Sequence, residues 1–277
     1  GLFIYSSQME ELTLSYNQIE MVENDTFLGL GSSLQRLCLD NNLIRVVESS
    51  AFARLDWLFE LALQYNRLAS PIRLAWPNSN LGMYWVNLEK NEIHSINAHA
   101  FANRISLSSL VRIVFDTNFI QNIELKAFQG LDNLQILSLS RNRLETLESG
   151  VFCDIAELQT LHLDSNRLKV LKNDTFSCLT KLSTLKLSGN RLVEIEPNAF
   201  RNLALLGQLS LDRNQLVSLP AHLFSALVNL RSLLLSFNRL GKLLNNTFLG
   251  SAQLSQLELS FNRIDEIEPD AFRDLSR

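Results

Sequence analysis

Few side chains in this chain could do chemistry, and the most suggestive set is Ser138, His162 and Asp164. On neighbouring strands of a repeat they would lie close, as nucleophile, base and orienting acid. Such a set also needs a nucleophile elbow, an oxyanion hole and a pocket, and the sequence offers none of them. The other histidines are His94, His99 and His222, and no Cys/His cluster has zinc spacing. A row of Asp116, Ser140, Asp164, Ser188, Asp212 and Ser236 could suggest cation sites, but calcium-loop spacing is missing. No Gly-rich phosphate loop is present. The expectation is a protein that is not an enzyme and holds no metal or cofactor.

The elements that position these residues are set by a beat of asparagines. Asn17, Asn42, Asn66, Asn91, Asn118, Asn142, Asn166, Asn190, Asn214, Asn238 and Asn262 recur at intervals of 25, 24, 25 and 27 residues, then 24 without exception. A period in this range marks a solenoid. Around each asparagine runs Leu-x-x-Leu-x-Leu-x-x-Asn-x-Leu, as in Leu182, Leu185, Leu187, Asn190 and Leu192. Two leucines one residue apart point to one side of a strand. One short strand per coil follows, stacked in parallel on its neighbours.

Ten positions after the asparagine stands a phenylalanine, from Phe27 and Phe52 to Phe248 and Phe272, with Trp76 as the exception. Rings at one station form a stacked column, each burying roughly 150–250 Å². Five positions after the asparagine stands an aliphatic residue such as Val22, Ile195 or Ile267, except at Pro71. The asparagine has its own task. Each coil turns a corner, which leaves backbone groups without a strand partner, and buried unpaired groups are costly. A carboxamide has donors and acceptors, so it can bridge its own turn and the next.

This pattern resembles the leucine-rich repeat family in its extracellular, typical 24-residue class, over essentially the whole chain. The resemblance implies an α/β-type solenoid: a right-handed leucine-rich repeat horseshoe with a parallel β-sheet on the concave face and a mostly irregular or 3-10 convex face. Residues 1–277 are expected to form a single leucine-rich repeat solenoid of about eleven repeats. Phe3 falls at the phenylalanine station of a preceding coil, and Phe272 lies near the end. Family members usually carry cysteine-rich caps and none is visible, so the expectation is a part of a longer chain, uncapped at both ends.

Composition sets bounds. With 25 basic and 29 acidic residues, no basic block points to nucleic acid. No apolar run reaches the roughly 20 residues needed to span a bilayer, so membrane attachment would need a segment not present here. Three Asn-x-Thr sequons, at Asn24, Asn173 and Asn245, each begin seven residues after a ladder asparagine. They are read as N-glycosylation sites of a secreted or surface protein. The competing reading is a local turn before the buried phenylalanine.

Cys153 and Cys178 fall one station apart in adjacent coils. Coils spaced about 4.8 Å apart place them within the 4.4–6.8 Å Cα window of a disulfide. Two small buried thiols is the alternative. Cys38, between two core leucines, should face outward from the sheet.

Members of the resembled family commonly bind along the concave sheet. Three positions per coil point there, six, four and two residues before the asparagine. Most are small and polar, as in Thr184, Lys186 and Ser188. Trp85, Val114 and Ile136 depart from this, with Arg112 beside them and His162 further along. Exposed apolar clusters mark interaction surfaces, and these five are the candidate ligand-binding residues. The frame also breaks at residues 69–80, and extra residues enter near Arg104 to Ser109, readable as binding loops or as a local change of curvature. Arginine follows the ladder asparagine at Arg67, Arg143, Arg167, Arg191, Arg239 and Arg263. That row suits either a solvated edge with acidic neighbours or an anionic partner.

The functional expectation is non-enzymatic protein–protein recognition at an extracellular or cell-surface location. The resemblance offers chaoptin-like adhesion, with self-association, and Toll-type receptor ectodomains or Slit-like proteins. The alternative is a secreted innate-immune protein that binds a pathogen-derived or cytokine-like ligand.

Overall fold

The computed structural model describes residues 8–70, 82–101, 107 and 109–275. The chain divides into two compact units, Gly1–Ser138 and Leu139–Arg277. The reading of one solenoid over the whole length therefore rests on the unbroken beat of the sequence. Phe3, Pro71 and Trp76 lie outside the described residues, as do the rest of the frame break from 72 to 80 and Arg104, Ile105, Ser106 and Ser108.

Each unit is a stack of coils with one three-residue strand per coil. In the first unit the strands Glu11–Thr13, Arg36–Cys38, Glu60–Ala62, Trp85–Asn87, Arg112–Val114 and Ile136–Ser138 pair in parallel, in chain order. In the second the strands are Thr160–His162, Thr184–Lys186, Gln208–Ser210, Ser232–Leu234 and Gln256–Glu258. Register follows the repeat, so Leu185 opposes Leu161 on one side and Leu209 on the other. Between the first and last coils the frame leucines are buried, and their strand neighbours face outward; Leu12, Leu14, Leu257 and Leu259 in the end coils are half-buried.

The back of each coil is mostly turns. A 3-10 helix spans Cys153–Ile155, and Leu107 and Ser109 also have 3-10 geometry. The aliphatic station after the asparagine forms short second strands, a detail the sequence reading missed. Met21–Val22 pairs with Val46–Val47, Ser95–Ile96 with Asn122–Ile123, Val170–Leu171 with Glu194–Ile195, and Lys242–Leu243 with Glu266–Ile267. Behind them the phenylalanines stack. Rings 176, 200, 224 and 248 lie 6.5, 6.4 and 6.1 Å apart in turn, with nearly parallel planes.

The asparagine ladder joins the front to the turn. Asn190 Nδ2 donates to the carbonyls of Leu163 (2.9 Å) and Leu187 (3.0 Å), and its Oδ1 accepts the Leu168 N–H (3.1 Å). The bridge thus reaches the preceding coil, not the following one as the sequence reading had it. The residue before each ladder asparagine has a positive φ, from Tyr16 (57°) through Thr117 (56°) to Phe261 (57°). A β-branched residue such as Thr117 is an outlier there. The ladder bonds on either side hold this left-handed corner in place.

Candidate recognition face

In the first unit the strand register puts Glu11, Arg36, Glu60, Trp85, Arg112 and Ile136 in one row across the face. The Arg112 guanidinium stands over the Trp85 ring, 5.8 Å from its centroid, within range of a cation–π attraction. Ile136 is half-buried beside Arg112. The indole Nε1 of Trp85 is buried and has no hydrogen-bond partner among the described residues. Along the same row Arg36 binds Glu60 at 2.9 Å and Glu11 at 3.5 Å, and the Glu60 carboxylate raises the Arg36 pKa further above its ordinary value.

Val114 corrects the sequence reading. It lies on the face between Asn87 and Ser138, yet it is only 5% exposed. A short side chain in the middle row is shaded by the longer ones flanking it, and Ala62 and Ser138 in that row are equally covered. His162 belongs to the second unit, half-buried, with Lys186 as its register neighbour. The structure thus brings Trp85, Arg112 and Ile136 together, with Val114 beneath.

Sequence reasoning missed the exposed aromatics: Tyr16, Tyr65, Phe237 and Phe261, as well as three close in sequence to the strands of Glu60 and Trp85. Trp57, Phe59 and Tyr84 are 50%, 49% and 43% exposed. Phe59 and Tyr84 stack at 5.0 Å and 3°, one residue before the strands of Glu60 and Trp85. They extend the Trp85 surface along the strand-entry edge. Their signal was present, because both stand seven residues before a ladder asparagine, where later coils carry Gln135, Gln159 and Ser183.

The groups that suggested chemistry have structural work. Ser hydroxyls donate to the aspartate one coil away: Ser15 to Asp40 (2.6 Å), Ser138 to Asp116 (2.6 Å), Ser140 to Asp164 (2.9 Å) and Ser188 to Asp212 (2.5 Å). The Asp/Ser row is a polar ladder between strands. Cys153 and Cys178 are joined as a disulfide with Cα atoms 5.0 Å apart, so of the two alternatives the bonded pair is realised. Cys38 is an unbonded thiol, half-buried, and burial raises its pKa despite an opposing hydrogen bond from Thr13. Arg67, Arg191, Arg239 and Arg263 are exposed while Arg143 and Arg167 are half-buried. Lys169, at 2.8 Å, holds the Glu145 carboxyl below its ordinary range, with Arg167 and Arg191 adding to the effect.

Comparison with known proteins agrees with this architecture. The family pattern described as "Leucine rich repeat" matches residues 7–68, 108–168, 156–216, 208–264 and 228–277. Chaoptin of Drosophila melanogaster is 31% identical over 145 residues, covering 52% of this chain and 10% of chaoptin. Human Toll-like receptor 3 is 30% identical over 151 residues, covering 51% of this chain and 16% of the receptor. The solved Toll–Spatzle complex aligns with TM-score 0.79 and 26% identity over 91% of this chain and 33% of that one. The complex of TLR13 with single-stranded RNA aligns with TM-score 0.72 over 97% and 38%, and at 24% identity it bears on fold alone. The chain spans only a fraction of each of these proteins.

Proposed function

The chain belongs to the leucine-rich repeat family, and from that premise we propose that it recognises a protein outside the cell, as part of an adhesion protein or a receptor ectodomain, without catalysis. One observation carries the proposal. Trp85 with Arg112 over its ring, continued by the exposed Phe59–Tyr84 pair, forms an aromatic and arginine surface on strands fixed by the ladder. Trp, Tyr and Arg are the residues enriched where protein interfaces concentrate their binding energy. A parallel sheet pinned at every coil presents them with little ordering cost on binding. The relatives support the class: chaoptin and Toll-like receptor 3 are extracellular or cell-surface repeat proteins, and Toll is solved with Spatzle.

The test is a biosensor panel of purified extracellular proteins that includes the chain itself and single-stranded RNA. Trp85→Ala should weaken the partner found by about thirtyfold, the equivalent of a hot spot of about 2 kcal/mol. Sedimentation showing concentration-dependent self-association would favour adhesion. A monomer that binds a soluble ligand would favour the receptor or the secreted immune protein. A partner bound equally well by the folded Trp85→Ala variant, or binding only to RNA, would overturn the proposal.

A further inference from the structure

The three sequons share one geometry. The amide oxygens of Asn24, Asn173 and Asn245 accept the backbone N–H groups of Ser50, Asn198 and Asp270 in the next coil, at 2.8, 2.8 and 2.9 Å. Their own N–H groups donate to Glu48, Glu196 and Glu268, at 2.7, 2.7 and 2.6 Å. Each sequon asparagine is thus a two-way clasp between coils. The middle residues Asp25, Asp174 and Asn246 have φ of 59°, 60° and 59°, a conformation that Asp and Asn tolerate best after glycine. The threonine hydroxyls donate to the carbonyls of Glu23, Lys172 and Leu244. Among the described residues, none of the three amide nitrogens donates to a protein group.

We propose that Asn24, Asn173 and Asn245 carry N-linked glycans on the amide nitrogen while the amide oxygen clasps the next coil, and that Asn173 and Asn245 must be modified before their coils close. The donor is an oligosaccharide esterified to a polyprenyl diphosphate. The asparagine nitrogen bonds to the anomeric carbon, the bond from that carbon to the diphosphate oxygen breaks, and the diphosphate leaves with the electron pair. The amide nitrogen gives up one proton. The transferase reads the hydroxyl of the Asn-x-Thr acceptor. In the folded chain all three hydroxyls are bonded, but Thr175 and Thr247 are only 2% and 3% exposed whereas Thr26 is half-exposed. The finished fold therefore hides the threonine of two of the three sequons, although Asn173 is half-buried and Asn245 is exposed.

This inference rests on the extracellular part of the proposed function, and its readouts are independent of Trp85. Protein secreted from animal cells is peptide-mapped after a peptide N-glycosidase that leaves aspartate at each former site. Conversion at all three asparagines is expected, and sequons left unconverted would overturn the modification. Protein from an oxidising bacterial strain is then offered to microsomal transferase and donor, either folded or unfolded in urea and diluted. Asn24 should be modified in both states, and Asn173 and Asn245 only after unfolding. Equal modification of the folded chain at all three would overturn the order of events. The unglycosylated bacterial protein separates out the clasp: Asn173→Ala should lower its melting temperature, and an unchanged melt would overturn the oxygen's role.

Discussion

At Asn190 the reason for the beat is visible in single bonds. Its carboxamide satisfies two carbonyls and one N–H that the corner leaves without strand partners, and it is only 5% exposed. Leucine would strand the Leu168 N–H, while the Leu163 and Leu187 carbonyls keep their bonds from Asn166 and Asn214, at a cost of about 1–3 kcal/mol for the unsatisfied group. Asn190→Leu should therefore destabilise by at least that amount in a urea titration, and a midpoint shift near zero would refute the buried ladder. Cys38 allows a pH test. Burial raises its thiol pKa, so the folded state favours the neutral form. That contribution to stability is complete below the unfolded thiol's pKa, near about 8.5, and is lost as pH rises through the folded value. Only the thiolate alkylates, so iodoacetamide should label folded Cys38 more slowly at neutral pH than it labels the urea-unfolded chain. Equal rates would show an unshifted thiol. The ladder was legible because one residue type recurs in one role, but the direction of its bridge was not, because a periodic pattern is the same read forwards or backwards.

An element here is a coil, and what locks one coil to the next differs along the chain. Between the coils of Cys153 and Cys178 the lock is covalent, beneath rings 152 and 176 stacked 6.1 Å apart. The bond closes a loop with a sequence separation of 25, which in the chain-entropy account is worth about 3 kcal/mol. Cys153→Ala with Cys178→Ala should lower stability by that order and leave the far-ultraviolet spectrum unchanged, because strands and phenylalanines remain. A collapse of the spectrum would mean the bond is needed to form the coil at all. The strand alternation made the main sheet legible. It did not reveal the second strands, since two residues such as Val170–Leu171 are too short for any period to show. It also misjudged the face. Alternation tells which way Val114 points, but its exposure depends on the length of the side chains in the flanking rows. Phe59 and Tyr84 went unread because they sit one position outside the strand positions that alternation assigns to the face.

For the whole molecule the question is which surface a partner would choose, and charge and aromatic area give different answers. The chain is nearly balanced, with a formal net charge of −4, so bulk attraction to an anion is weak. Exposed Arg191, Arg239 and Arg263 nonetheless recur at the same station, with Gln215 between the first two, and an acidic protein or sulfated glycan could use them. Such contacts between exposed charges are screened as the Debye length falls from about 8 Å at physiological salt to about 3 Å at 1 M. Apolar burial around Trp85, Phe59 and Tyr84 is not screened, and Arg112 acts there over a ring rather than alone. If the aromatic surface is the recognition site, the partner's affinity should change little between these salt concentrations and should fall with Trp85→Ala but not with Arg191→Ala plus Arg239→Ala. A steep loss with salt, together with sensitivity to the arginine pair, would move the site to the strand-exit flank. The two surfaces lie at different stations of the coil, so a partner dependent on one set of substitutions and indifferent to the other identifies the site it uses.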